Sequence, residues 1–252
     1  MGKVAELHNA ESAGRFLFVC EHAANAFPEG FGTLGLDAEA RMAHVAWDPG
    51  ALGVARGLAD RLGSPLVAAT VSRLVYDCNR PPDALAAMPA RSEVYDIPGN
   101  RDLDAGARLA RTEAVYLPFQ AALTGQLARM LARGHRPVLV TVHSFTPQWF
   151  GKPRAVQFGI IHDADASYAR ALAEAASPRL GLLTALNQPY SAADGVAHTL
   201  RLHATPHGLR HAMLEIRNDL IADADAQRAM ADRLAPLLEE ALSRMPANEG
   251  LH

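Results

Sequence analysis

Four side chains in this chain are of the types that hold a metal ion or move a proton. His22 and His143 each follow an apolar run, Glu215 sits inside one, and Asp48 stands immediately before Pro49. Two imidazoles and one carboxylate make a usual catalytic zinc set, with the fourth position open to water. A further Glu that does not ligate the metal can then serve as general base. The chemistry this points to is metal-assisted hydrolysis. The chain has no HExxH and no CxxC, so such ligands must come from separate strands and leave no short motif. Competing readings carry weight here. A single His at a strand end is more often hydrogen-bonded structure than a ligand. Asp48 followed by Pro49 reads as a helix N-cap, and Glu21 is a rival carboxylate ligand. A carboxylate in an apolar run is costly without a partner, which favours a functional Glu215, although Arg73 or Arg217 could pair with it. Cys20 near His22 raises a cysteine nucleophile, but a buried thiol is the better reading. His162, His198, His203 and His207 read as surface or rim residues.

These groups need elements that bring them to one place. Residues 16–20, 65–71, 137–142, 155–161, 182–186 and 212–216 are short apolar runs that read as buried strands. Between them lie helical patterns: residues 49–62, a long stretch at 103–133 that Pro118 should kink or divide, 164–176, a weak one at 196–203, and an amphipathic one at 223–244. In that last helix Met230, Leu234, Leu238 and Ala241 face inward. Strands alternating with helices imply parallel pairing, hence an α/β three-layer αβα sandwich in one domain, 1–252. In such sheets ligands gather outside the carboxyl ends of the strands, where His22, His143 and Glu215 arrive. Residues 83–102, rich in turn formers and carrying Arg91 and Arg101, form a loop long enough to be a lid or disordered.

Bulk properties narrow the classes of partner. The 252 residues are 49% hydrophobic and 20% charged, with a net charge of −3. That balance supports a sizeable core and gives no basic face for nucleic acid or an anionic membrane. No apolar run approaches the ~20 residues of a membrane span. Two cysteines and an N-terminus without a secretory h-region point to a reduced, cytoplasmic protein. Homo-oligomerisation is left open. Arg73, Arg80, Arg101, Arg154 and Arg217 fall in loops expected near the strand ends, and guanidinium groups grip carboxylates bidentately, so an acidic small molecule is the expected substrate. Pairing with Asp77, Asp102 or Asp219 would account for most of them equally well.

Taken in order, the segments VCEHAAN, HVAWDPGALGVARGLADRL, SRLVYDCNRP, IPGN, VHSFTP, NQPYS and EIRNDL resemble the N-formylglutamate amidohydrolase family. The resemblance runs over residues 18–221. It implies a fold similar to zinc-dependent exopeptidases and removal of formyl groups from N-formyl amino acids. The best-known reaction yields glutamate and formate in histidine degradation. It also implies zinc, or another divalent transition metal, on His22, Asp48 and His143, with Glu215 as general base. Arg73 would stabilise the oxyanion, and Arg154, Arg217, Arg80 and Asn100 would bind substrate. A hydrolase of another N-acyl amino acid, or a non-catalytic binder of an acidic metabolite, are the alternatives.

Overall fold

The computed structural model describes residues 2–246. Residue 1 and residues 247–252 of the expected 1–252 domain lie outside the described residues. Seven strands form the central sheet: β1 Ala5–His8, β2 Phe16–Cys20, β3 Leu66–Ala69, β4 Val138–Phe145, β5 Phe158–Ile161, β6 Thr184–Leu186 and β7 His211–Arg217. Their spatial order is β1-β3-β2-β4-β7-β5-β6. Four of the six pairings are parallel, while β1 against β3 and β5 against β7 are antiparallel.

The sheet is therefore mostly parallel rather than wholly so. The stretch from β4 to β5 contains only a short hairpin, Gln148–Trp149 with Lys152–Pro153. Without a helix to carry the chain back along the sheet, β5 runs opposite to β4. A helical crossover then restores parallel pairing between β5 and β6. AELH alternates too briefly to register as a strand in the sequence, yet it forms the edge strand β1.

Helices cover both faces: α1 Ala38–Met42, α2 Ala51–Arg61, α3 Ala105–Arg111, α4 Leu117–Ala132, α5 Ser167–Ala176, α6 His198–His203 and α7 Ala224–Ser243. Phe16, Phe18, Val140, Val142 and Leu214 pack on α2, α5 and α7. Leu17, Val19, Leu139 and Met213 point the other way, toward α4, α6 and the loops before them. This is the period-two alternation of a sheet buried on both sides, and it completes an α/β three-layer sandwich. The inward stripe of α7 holds: Met230, Leu234, Leu238 and Ala241 are all buried, and Asp223 caps the helix by accepting from the Ala226 amide. Pro118 divides the 103–133 stretch as expected, with a π-helical turn at Thr112–Tyr116 directly before α4. The proline ring excludes the carbonyl four residues back, and a π turn absorbs the displacement. Among the described residues, no helix is long and apolar enough to cross a membrane.

One local expectation fails with consequences for the site. Asp48 does not cap α2. The helix starts at Ala51, its N-cap is Gly50 at φ 82°, and no side chain caps it. A Cβ at Gly50 would meet the Ile221 carbonyl oxygen at 2.4 Å, so only glycine lets the chain turn there. That turn frees the Asp48 carboxylate for other partners. Gly50→Ala should cost at least about 2 kcal/mol in urea unfolding. A variant as stable as the parent would show that the turn relaxes freely.

Candidate metal centre and active site

Strands β2, β4 and β7 lie side by side. His22 comes two residues after β2, while His143 and Glu215 occupy paired positions near the carboxyl ends of β4 and β7. In a parallel pair, residues in register project from the same face. His143 and Glu215 thus reach into one cavity of about 460 Å³, which His22, Asp48, Arg73, Asp77 and Arg80 also line. This size suits a small molecule.

Asp48 is carried in from the side by the segment before α2. Its amide donates to the His22 carbonyl at 2.9 Å, and Ser144 donates its hydroxyl to the Pro49 carbonyl at 2.8 Å. Asp48 Oδ2 then lies 3.2 Å from His22 Nδ1 and 2.9 Å from His143 Nδ1, and the two Nδ1 atoms are 3.2 Å apart. The three donor atoms make a nearly equilateral triangle. A tetrahedral ion with bonds of roughly 2.0–2.1 Å spreads its ligand atoms by roughly 3.3–3.4 Å, so the triangle fits one face of such a site with little adjustment. All three residues are buried, and they form a cluster able to hold a metal ion.

The opposite ring nitrogens are held by carboxylates. His22 Nε2 is 2.7 Å from Asp77 Oδ1, and His143 Nε2 is 3.2 Å from Glu21 Oε2, an ion-pair distance without hydrogen-bond alignment. Metal-ligating histidines use their second nitrogen in this way, which fixes the ring and makes the free nitrogen more basic. Glu21 therefore stands behind His143, outside the donor triangle. Arg73 closes the network, donating to Asp77 Oδ2 at 2.8 Å and to Asp48 Oδ1 at 3.3 Å.

Electrostatics follow from this crowding. Burial raises the Asp48 carboxyl, but His22 and His143 more than offset that and hold it well below the ordinary range. Burial likewise raises Asp77, and His22 and Arg73 pull it far down. Burial lowers His143, yet Glu21 and Asp48 drive it well above its usual value. Four buried carboxylates around two imidazoles and one guanidinium leave a site whose donor set favours a cation. Glu215 is the exception. Burial dominates, and its carboxyl is pushed up to about 7 from 4.5 despite His143 nearby. Its Oε2 is buried with no hydrogen-bond partner. Such a group is poised to exchange a proton near neutrality.

The other candidates disperse. Arg80 lines the cavity. Arg154 stacks against Phe145, Trp149 and Tyr190 and donates to the Tyr190 hydroxyl, just outside the cavity wall. Arg217 chelates Asp219 at 2.8 and 3.1 Å. Asn100 donates its amide to the carbonyls of Leu74 and Pro89 and accepts from Arg111, so it ties loops together away from the cavity. The 83–102 segment contributes Arg91 and Glu93 to the cavity wall. Arg101 is exposed and pairs with Asp96. His203, expected at the surface, is buried beside Gln120 at 2.6 Å, because the helical turn of α6 points it inward. Cys20 is buried among the α2-side core residues, and burial raises its thiol well above the usual value, which is the wrong state and place for a nucleophile. Asp77, Tyr190 and Trp149 were not selected from the sequence as site residues. Asp77 carried one usable signal, its i,i+4 spacing from Arg73.

A buried donor triangle able to hold a metal ion thus lies, backed by carboxylates, at the carboxyl ends of central strands of an α/β sheet. The family model for N-formylglutamate amidohydrolase matches residues 14–222. The chain belongs to the N-formylglutamate amidohydrolase family. It superimposes on a gene product of Agrobacterium tumefaciens with TM-score 0.94 at 50% identity, covering 96% of each chain. It also superimposes on the N-formylglutamate amidohydrolase of Ralstonia eutropha JMP134, with TM-score 0.72 at 18% identity over 97% of this chain and 100% of that one. The second likeness speaks to the fold. No protein among the curated ones matches the chain.

Asp77→Asn should weaken zinc binding about 10–100-fold, read by competition with a chromogenic chelator. Unchanged affinity would remove Asp77 from the metal's support. For Glu215 the folded state holds its proton more tightly than the unfolded chain. Its contribution to stability is therefore complete below about pH 4.5 and lost as pH rises through about 7. In chelator-treated protein at pH 8, Glu215→Gln should gain at most about 3 kcal/mol in urea unfolding, shrinking toward pH 5. A pH-independent difference would contradict the burial argument.

Proposed function

We propose that this protein is a metal-dependent amidohydrolase that cleaves the formyl amide of an N-formyl amino acid, with N-formyl-L-glutamate as the family's reference substrate. The observation that carries this reading is the 2.9–3.2 Å donor triangle of His22, Asp48 and His143 set in the same cavity as the unpaired Glu215. Residues His22, Asp48 and His143 would hold the ion. When bound, it supplies Lewis-acid chemistry, polarising an amide carbonyl and making water more acidic.

The chain's own groups divide the remaining work. Glu215 takes a proton from the attacking water and returns it to the departing amine nitrogen, a role suited to a carboxyl that titrates near neutrality. Arg73 is held in the cavity wall by Asp48 and Asp77, and its guanidinium would stabilise negative charge developing on the carbonyl oxygen. Arg80 lines the cavity and would grip the substrate carboxylate. Asp77 and Glu21 hold the imidazole rings in one orientation, so the site does not have to reorganise during turnover.

A cytoplasmic enzyme working as one domain on a small acidic substrate fits this reading and the two unpaired, buried cysteines.

Glu215→Gln should keep its metal and lose at least about 10³-fold in turnover. Dialysis against a chelator should abolish release of formate, and added Zn²⁺ should restore it. Turnover that survives metal removal, or a Glu215→Gln variant of near-normal activity with metal retained, would defeat this mechanism.

A further inference from the structure

The cavity wall is uneven in charge. Arg73 is committed to Asp48 and Asp77. Arg91 is largely exposed and pairs with Asp96. Among the described residues, the Arg80 guanidinium hydrogen-bonds only the Asn79 carbonyl and has no carboxylate within ion-pair distance. It is thus the one guanidinium of the wall left to receive a substrate carboxylate. Elsewhere the wall carries Glu93 and Asp194, and neither meets an arginine or lysine in an ion pair among the described residues. Glu93 faces His44 at 2.8 Å, and Asp194 accepts from the Ser191 amide and hydroxyl. These acids oppose a second negative charge on the ligand.

Another part of the same wall is aromatic. Phe145, Trp149 and Tyr190 line it, and Arg154 packs against all three rings at 4.8–5.4 Å from their centroids. The guanidinium fixes the rings from outside the cavity wall. Trp149 sits on the hairpin that joins β4 to β5, with part of its surface still open.

From one available cation, two opposing acids and a braced aromatic wall, we infer that the preferred substrate is an N-formyl amino acid with a single carboxylate and an apolar or aromatic side chain, rather than N-formylglutamate. The α-carboxylate pairs with Arg80, and the side chain lies against Phe145, Trp149 and Tyr190. Burying such a side chain in an apolar site lowers the transition state without needing a second countercharge. This inference rests on the hydrolase reading above and specifies its substrate class.

The test is kcat/KM of the zinc-loaded enzyme on N-formyl-L-phenylalanine, N-formyl-L-leucine, N-formyl-L-glutamine and N-formyl-L-glutamate, read as released amine. Phenylalanine and leucine substrates should exceed glutamate by about tenfold or more. Trp149→Ala should cut the phenylalanine-to-glutamate ratio at least about fivefold, chiefly through KM. Should N-formylglutamate be the best substrate, or should Trp149→Ala leave the ratio unchanged, the substrate class is wrong and the hydrolase reading stands. Should none of the four be cleaved while zinc is bound, both fall.

Discussion

The site depends on one buried carboxylate with too many partners. Asp48 gathers both histidines through Oδ2 and Arg73 through Oδ1, although it belongs to a segment that is neither strand nor helix. A charge buried at this depth is tolerable only when paired and hydrogen-bonded on every side. The neighbours satisfy that demand, and in doing so they pull two strand ends and a loop to one point. The sheet sets His143 and Glu215 in register and delivers His22 just past the end of β2, and the left-handed turn at Gly50 aims the carboxylate at the histidines.

The outer ring of carboxylates gives the arrangement its stiffness. Asp77 binds His22 and Arg73 together, and Arg73 reaches back to Asp48, so ligand, outer partner and cation form a closed circuit. In a medium of low dielectric such a circuit resists rearrangement, because breaking any one link strands a charge. Glu215 stands outside the circuit with an unpartnered oxygen, and burial is the largest influence on its affinity for a proton. The paired acids Asp48 and Asp77 are held ionised by their partners, while Glu215 is pushed up to about 7 by burial in the same cavity.

The aromatic side of the cavity is built differently, from rings braced by a guanidinium. The family match over residues 14–222 takes in the donor triangle and Glu215. The far wall is made by loops and a short hairpin, which vary most readily while the sheet stays constant.

By itself the sequence determined the alternation of strands and helices, the inward stripe of α7, the break at Pro118 and the candidacy of His22, His143 and Glu215. Each of these is local, written in apolar periodicity or in a residue type at the end of an apolar run. Only the tertiary structure decided that Asp48 is not a helix cap, that Glu21 backs His143, that Asp77 joins the site, that β5 runs antiparallel, and that Arg217 and Asn100 face away from the cavity. Those outcomes turn on which distant groups come within hydrogen-bond reach. A carboxylate or guanidinium has the same appearance in a sequence whether its partner is a substrate, a metal ligand or a neighbouring loop.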